Sequence, residues 1–203
     1  MPTPRWMDQA TSEEFSWSDA LGGTRGIIEA TAPGLVFVVV YVATRALIPT
    51  LIAASCVALL ACVIRLVQRQ GLQQALSGLF GVAIGVIFAA ATGRGENYFA
   101  WGIVTNIAMA LVFAVSVLCR RSLVAQFYGP LTGLAKDWQS DPAYSDMRRS
   151  CAEITWMWAG IFALRVAVQA PLWLTGQVAA LGVAKLALGL PLFALGAWAT
   201  WWK

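Results

Sequence analysis

The stretch that decides the fold is CAEITWMWAGIFALRVAVQAPL, residues 151–172, which is followed after a short turn by VAALGVAKLALGLPLFALGAWAT, residues 178–200. Each is long enough to cross the roughly 30 Å hydrocarbon core of a bilayer as an α-helix, which takes about 20 apolar residues. Yet the first contains Arg165 and the second contains Lys185. A charge near the centre of a membrane helix costs about 2.5–3.5 kcal/mol on insertion scales, so such residues are rare and usually have a partner or a function.

The whole chain has the composition of a membrane protein. Of its 203 residues, 59% are hydrophobic and 12% are charged, whereas roughly 25% of residues are charged in an average soluble domain. We predict an all-α, polytopic bundle of about six transmembrane helices. The predicted spans are 27–44, 49–64, 72–92, 98–118, 151–172 and 178–200. Because only residues 45–48 separate the first two, one long kinked helix is an open alternative.

Basic residues in the loops predict the orientation. Lys and Arg are enriched in cytoplasmic loops, and here they precede the first predicted span, follow the second and the fourth, and end the chain. We therefore expect a multi-pass protein of the bacterial plasma membrane with both termini in the cytoplasm. Residues 1–26 are predicted to form a partly disordered or interfacial tail, and residues 27–203 the membrane domain. The long cytoplasmic connector, residues 120–150, has amphipathic helical spacing and is expected to lie in the interface or to contact a partner.

The residue inventory argues against catalysis, metal binding and nucleic-acid binding. The chain has no histidine, which removes the commonest general base and any Ser-His or Cys-His nucleophile pair. Its four cysteines do not have the spacing of zinc ligands. The net charge of +4 comes largely from the basic residues that set topology. We therefore predict no catalytic residue, no metal, no cofactor and no nucleic-acid partner.

The two cations are predicted to share a depth and to face an anion. At about 1.5 Å of rise per residue, Arg165 and Lys185 both fall in the outer half of the bilayer. No carboxylate lies at this depth in the predicted spans, so we expect the protein to bind or conduct a small anion or an anionic lipid there. The predicted binding residues are Arg165, Lys185, Gln169, Asn106 and Tyr41, with Arg45 and Arg94 on the outer loops. The alternative is that both cations snorkel along their own helices to the outer headgroups or make purely structural hydrogen bonds.

Small residues at regular intervals predict close packing of two spans. They recur every four positions in the third span and every seven in the sixth. The residues are Gly81, Gly85, Ala89 and Gly93 in the third span, and Gly182, Gly189 and Gly196 in the sixth. We expect these faces to pack within the bundle, against a second copy of the chain, or against a partner membrane protein.

Several short motifs resemble a known family. They are LGGTRGIIE at residues 21–29, TGRGENYF at residues 92–99, and the segment from Thr155-Trp156 through Arg165 to Pro171-Leu172. In this order they resemble an actinobacterial integral membrane family known only as a domain of unknown function. More distantly, the chain is similar to the intracellular septation protein A, or YciB-like, inner-membrane proteins. This resemblance implies a role in cell-envelope maintenance, and it makes a non-catalytic envelope or division scaffold the alternative to anion or lipid handling.

Overall fold

The computed structural model describes residues 23–67, 72–134 and 138–202, and within these ranges all regular structure is helical. The helices are α1 (Gly23–Thr44), α2 (Leu47–Val67), α3 (Leu72–Thr92), α4 (Ala100–Leu118), α5 (Leu123–Thr132), α6 (Ser145–Leu174), α7 (Val178–Ala187) and α8 (Leu190–Trp201). Short 3₁₀ turns lie at Gly95–Phe99, Trp138–Ser140 and Pro142–Tyr144. The predicted all-α class is confirmed. Most of the predicted N-terminal tail, residues 1–22, lies outside the described residues, as do the side chains of residues 23–30, 65, 72–78 and 190.

Four helical stretches in the described part of the chain are long and apolar enough to cross a membrane. They are Leu47–Ile64, Gly95–Leu118, Pro142–Leu174 and Val178–Trp201. Two shorter apolar stretches, Thr31–Thr44 and Leu79–Thr92, belong to α1 and α3. Large apolar side chains such as Leu60 and Leu111 are exposed on the outside of the bundle, where lipid would cover them. The structure is therefore compatible with a polytopic membrane protein.

The first two predicted spans are separate helices. α1 ends at Thr44, α2 begins at Leu47, and the two pack against each other as a hairpin. Arg45 closes the turn in the left-handed region, with φ of 52°, and its amide donates a hydrogen bond to the carbonyl oxygen of Tyr41 at 2.9 Å. The alternative of one long kinked helix is therefore wrong.

The predicted sixth span, in contrast, is interrupted. α7 ends at Ala187, Leu188 and Gly189 form a turn, and α8 begins at Leu190 with Pro191 in its first turn. Proline suits this position because the first-turn amide has no helical acceptor and can be absent without loss. The prediction of one continuous helix over residues 178–200 is therefore wrong. Hydropathy does not show where an apolar run leaves the helical conformation.

Part of the described core is a cluster of three aromatic rings and a leucine, here called the aromatic cluster: Phe37, Tyr98, Phe99 and Leu181. Phe37 and Leu181 have no exposed surface. The ring of Phe37 stacks on that of Tyr98 with centroids 4.0 Å apart and meets Phe99 edge-on at 5.7 Å. The cluster joins α1, α7 and the 3₁₀ turn before α4. It lies toward the end of the bundle formed by the turns at residues 45–46, 93–94 and 175–177, which we call the turn end.

Only part of the predicted small-residue face of α3 is packed. A Cβ atom on Gly85 would lie 2.7 Å from the carbonyl oxygen of Tyr98, and Ala89 is fully buried. Gly81 instead has open space around it, and Gly93 has a φ of 67° in the turn that follows α3. The four-residue spacing therefore includes two glycines that do not pack against a neighbour. One of them, Gly93, lies in the turn, where a positive φ favours glycine.

The three glycines spaced seven residues apart in the last predicted span also divide between packing and a turn. Gly182 packs directly against Val38 of α1, and a Cβ atom on Gly196 would lie 2.5 Å from the side chain of Ile161 on α6. Gly189, however, lies in the turn between α7 and α8. Two of the three predicted packing glycines therefore contact a neighbouring helix, and the third allows the interruption.

The predicted amphipathic connector contains α5 and two 3₁₀ turns. α5 ends before Gly133, whose φ is 71°, so the connector is not one continuous amphipathic helix. Trp138 folds back and packs directly against Gly129. Phe127 and Leu131 remain exposed on the outer side of α5. The connector thus combines a buried cluster around Trp138 with an exposed apolar face.

Substituting Gly85 by Ala is expected to destabilise the protein by about 1–3 kcal/mol, because the new methyl group would meet a backbone carbonyl that cannot rotate away. The measurement is the unfolding midpoint of the purified protein in detergent. Gly81→Ala, on the same helix with open space around the site, is the matched control and should be neutral or slightly stabilising. Equal losses for both variants would contradict this packing.

Candidate functional site

A cavity of about 370 Å³ lies between α1, α3, α4, α6, α7 and α8. Its polar lining consists of Thr31, Asn106, Arg165, Gln169 and Lys185. The volume falls in the range of small-molecule sites, which is about 300–1,000 Å³. Four of the seven binding residues predicted from the sequence therefore line one cavity, although they come from three different helices.

Arg165 links α6 to the interrupted helix. Its Nη2 atom donates a hydrogen bond to the carbonyl oxygen of Gly189 at 2.7 Å, and its guanidinium carbon lies 5.9 Å from the ring centroid of Phe162. The buried Nε atom has no hydrogen-bond partner among the described residues. A buried guanidinium donor without an acceptor is costly, so Arg165 retains the capacity to donate to a ligand.

Lys185 faces the aromatic cluster. Its Nζ atom lies 5.5 Å from the ring centroid of Tyr98 and 5.4 Å from that of Phe99, distances at which cation–π attraction operates. Lys185 also lies in the last turn of α7, where the helix dipole favours a positive charge. One cation, Lys185, is exposed and lies over aromatic rings, whereas the other, Arg165, is partly buried and hydrogen-bonded to a backbone carbonyl.

The two amides complete the polar wall of the cavity. Gln169 lies one turn beyond Arg165 on α6 and is only 6% exposed. The Nδ2 atom of Asn106 donates to the carbonyl oxygen of Gly102 at 2.7 Å, which fixes the orientation of that side chain. Both amides therefore lie at positions where a bound molecule can be oriented by hydrogen bonds.

The remaining predicted residues do not line the cavity. Tyr41 stacks on Phe37 with centroids 6.1 Å apart and packs against Gly95, so it belongs to the turn-end side of the aromatic cluster. Arg45 and Arg94 are exposed on the turns. Because the aromatic cluster lies between these turns and the cavity, the structure does not bring the two loop arginines to the site.

Among the described residues, Glu153 and Glu96 lie away from the two cations of the cavity. Glu153 forms an ion pair with Arg149 at 3.3 Å, and Glu96 lies at the turn end beside Gly176. The side chain of Glu29 falls outside the described residues. No described carboxylate lines the cavity, and no group of three His, Cys, Asp or Glu side chains within the described ranges could hold a metal ion.

Two features of the site were missed by sequence reasoning. Tyr98 and Phe99 form one wall, and Gly189 supplies the carbonyl that Arg165 binds. The interruption at Gly189 could have been predicted from the sequence Gly189-Leu190-Pro191, because glycine and proline close together within an apolar run often mark an interrupted helix. The aromatic wall had no comparable signal, because aromatic residues are common at the ends of membrane spans.

Comparison with known proteins places the chain in a family. Residues 21–203 match the family described as "Protein of unknown function (DUF3159)". The chain belongs to the DUF3159 family. The match includes every helix of the described structure, so the whole cavity lies within the DUF3159 region. No curated protein and no solved structure matches the chain.

Replacing Lys185 by Met, which has similar length and no charge, is expected to raise the stability of the ligand-free protein by about 1 kcal/mol. The reason is that the cost of a charge within the membrane, about 2.5–3.5 kcal/mol, exceeds a cation–π contribution of about 0.5–2 kcal/mol. Thermal unfolding in detergent provides the measurement. Arg94→Met, on an exposed turn, should change stability by less than about 0.5 kcal/mol. A clear loss of stability in Lys185→Met would mean that this lysine is a structural residue.

Proposed function

We propose that this DUF3159 protein is an integral membrane protein that binds an anionic group, carried by a lipid or a small organic acid, between Arg165 and Lys185. The observation that carries the proposal is that two cations from different helices line one cavity whose described lining contains no carboxylate. Charges at membrane depth are costly and are usually retained for a partner or a function. An anionic ligand would supply the partner that the described residues do not.

The ligand is expected to be amphipathic rather than a single halide ion. The cavity has room for an organic molecule. Apolar side chains, among them Val82, Leu186 and Phe193, line it beside the two cations. A phosphate or carboxylate would accept hydrogen bonds from Arg165 and Lys185, and an attached hydrocarbon portion would contact the apolar wall.

Binding is favoured over conduction. Phe37 and Leu181 have no exposed surface, and Tyr98 and Phe99 are nearly buried, so the aromatic cluster blocks a path from the cavity to the turn end. Proton coupling generally relies on an acid within the membrane, and the described lining contains none. We therefore propose that the ligand enters from the opposite end of the bundle or laterally from the bilayer.

For the topology we propose six spans with both termini in the cytoplasm of a bacterial plasma membrane. α1 forms a hairpin with α2, and α3 packs against α2, so the three apolar helices are expected to share the membrane. The distribution of Lys and Arg supports the orientation. With a rise of about 1.5 Å per residue, Lys185 lies roughly 10 Å and Arg165 roughly 14 Å from the turn end, in the outer half of a core about 30 Å thick.

We propose that the protein has a non-catalytic role in cell-envelope maintenance. The distant likeness to septation protein A proteins and to an actinobacterial family motivates this role. A second candidate function is an envelope or division scaffold, favoured by the exposed Phe127, Tyr128 and Leu131 on α5. Site-specific crosslinking from Phe127 in living cells tests it: recovery of a defined membrane protein would support the scaffold.

Binding can be tested with three molecules that share an oleoyl chain and differ in headgroup charge: lysophosphatidic acid, lysophosphatidylcholine and monoolein. Native mass spectrometry of the purified protein in detergent would measure the fraction of each that is retained. We expect the anionic compound to bind best, and Lys185→Met and Arg165→Gln each to weaken its binding by about tenfold or more, because each removes a charge-assisted hydrogen bond.

The matched control is Arg94→Met, which removes an arginine from an exposed turn outside the cavity. Its retention of lysophosphatidic acid should equal that of the unmodified protein. Equal binding of all three headgroups, or equal losses in the cavity variants and in Arg94→Met, would show that the cavity does not select an anion.

A further inference from the structure

A second cavity of about 330 Å³ lies at the end of the bundle opposite to the turn end, where α4, α5 and α6 meet. Three arginines, Arg120, Arg148 and Arg149, line it together with Ser122 and Gln139. No acidic residue belongs to its described lining. This arginine pocket shares no residue with the cavity at Arg165 and Lys185, so an inference about it stands independently of the proposed function.

Arg120 occupies a backbone conformation that favours glycine. Its φ is 57°, and it follows the last residues of α4, with its amide donating to the carbonyl oxygen of Val117 at 2.8 Å. The amide of the next residue, Arg121, donates a hydrogen bond to the carbonyl oxygen of Ser116 at 2.9 Å. Helices that end in this way usually have glycine at the left-handed position, because a Cβ atom is unfavourable there. Arg45 has the same conformation on an exposed turn, but Arg120 in addition lines a basic cavity, which makes its side chain a candidate for ligand binding.

The other two arginines are partly pre-positioned. The guanidinium of Arg148 donates a hydrogen bond to the carbonyl oxygen of Gln139, which holds this half-buried side chain beside the cavity. Arg149 pairs with Glu153 at 3.3 Å, and its side chain is 82% exposed. Three cations and one adjacent acid leave the pocket with a net positive charge, which suits an anion with several acceptor oxygens.

The N-terminus of α5 is fixed at the edge of the same pocket. The Oγ atom of Ser122 accepts a hydrogen bond from the amide of Ala125 at 3.3 Å. The Oγ1 atom of Thr155, on α6, accepts one from the amide of Val124 at 3.4 Å. The positive end of the α5 dipole is thereby held beside the arginines, where it adds to the attraction for an anion.

The surroundings place the pocket at the edge of the hydrocarbon region. The apolar stretch Gly95–Leu118 ends two residues before Arg120. Leu118, Phe127 and Leu131 are each at least 60% exposed on α4 and α5. A basic pocket beside exposed apolar helices has the arrangement of a lipid-headgroup site, since basic pockets at the membrane surface attract anionic headgroups while apolar surface contacts the acyl chains.

We propose that the arginine pocket binds the phosphate of an anionic phospholipid from the leaflet opposite to the turn end. The acyl chains would lie along the exposed apolar sides of α4 and α5. An apolar cavity of about 220 Å³ between these helices, lined in part by Phe113, Leu123 and Phe127, offers one place for a chain. The three arginines recognise the phosphate diester, and the net positive charge of the pocket disfavours a lipid whose esterified alcohol is itself a cation, such as choline.

The test uses the full chain in detergent and two lipids with identical chains, dioleoyl phosphatidylglycerol and dioleoyl phosphatidylcholine. The protein carries Lys185→Met so that the first cavity does not retain the anionic lipid, and binding is followed by native mass spectrometry. We expect phosphatidylglycerol to bind at least about fivefold more tightly than phosphatidylcholine, and Arg120→Gly and Arg148→Gln each to remove most of that preference.

Arg120→Gly is informative because it separates binding from folding. It removes the side chain while relieving the left-handed strain, so the unfolding midpoint should stay constant or rise as lipid preference falls. The matched control is Arg45→Gly, which relieves the same strain at the turn end and should leave phosphatidylglycerol binding within about twofold of the parent.

Three results would overturn the proposal. The first is equal affinity for the two lipids. The second is an unchanged preference in both Arg120→Gly and Arg148→Gln. The third is displacement of phosphatidylglycerol by millimolar inorganic phosphate, which would identify a soluble phosphate as the ligand instead of a lipid.

Discussion

The hydrogen bond from Arg165 to the carbonyl oxygen of Gly189 is the interaction on which the rest of the site depends. The helix of α7 ends at Ala187, and Gly189 begins the next helical stretch, because its carbonyl oxygen accepts the amide hydrogen bond of Phe193 at 3.1 Å. The same carbonyl oxygen also accepts a hydrogen bond from Arg165 at 2.7 Å. The same bond holds α6 against the joint between the two half-helices and positions the guanidinium beside the cavity that Lys185 also lines.

The aromatic cluster gives the bundle two different ends. At the turn end, Phe37, Tyr98 and Phe99 pack face-to-face and edge-to-face, so these three rings lie between the described turns and the cavity. At the opposite end the surface is basic and apolar, with the arginine pocket beside α5. Both candidate anion sites therefore lie on the same side of the aromatic cluster. A ligand reaching either one would come from that side or from the bilayer, which is a simpler arrangement for a binding protein than for a channel.

The small residues illustrate how one sequence signal serves several structural purposes. Gly85 and Gly182 allow close contact between elements, whereas Gly93 closes a turn and Gly189 lies where the last apolar run is interrupted. A regular interval in the sequence predicts close packing because it assumes a continuous helix. Where the helix ends or breaks, the same residue type provides backbone freedom instead.

The sequence alone determined the helical class and the apolar segments compatible with membrane spans. It also set the positions of the polar residues along each helix, because the rise per residue is constant. That is why Arg165, Lys185, Gln169 and Asn106 could be assigned to one level before any contact was known. Only the tertiary structure decided which of them meet and which do not. It placed the aromatic cluster between the cavity and Arg45 and Arg94, and it interrupted the last apolar run at Gly189. Rotation about a helix axis and the choice of neighbours follow from packing between distant segments, and hydropathy contains no information about either.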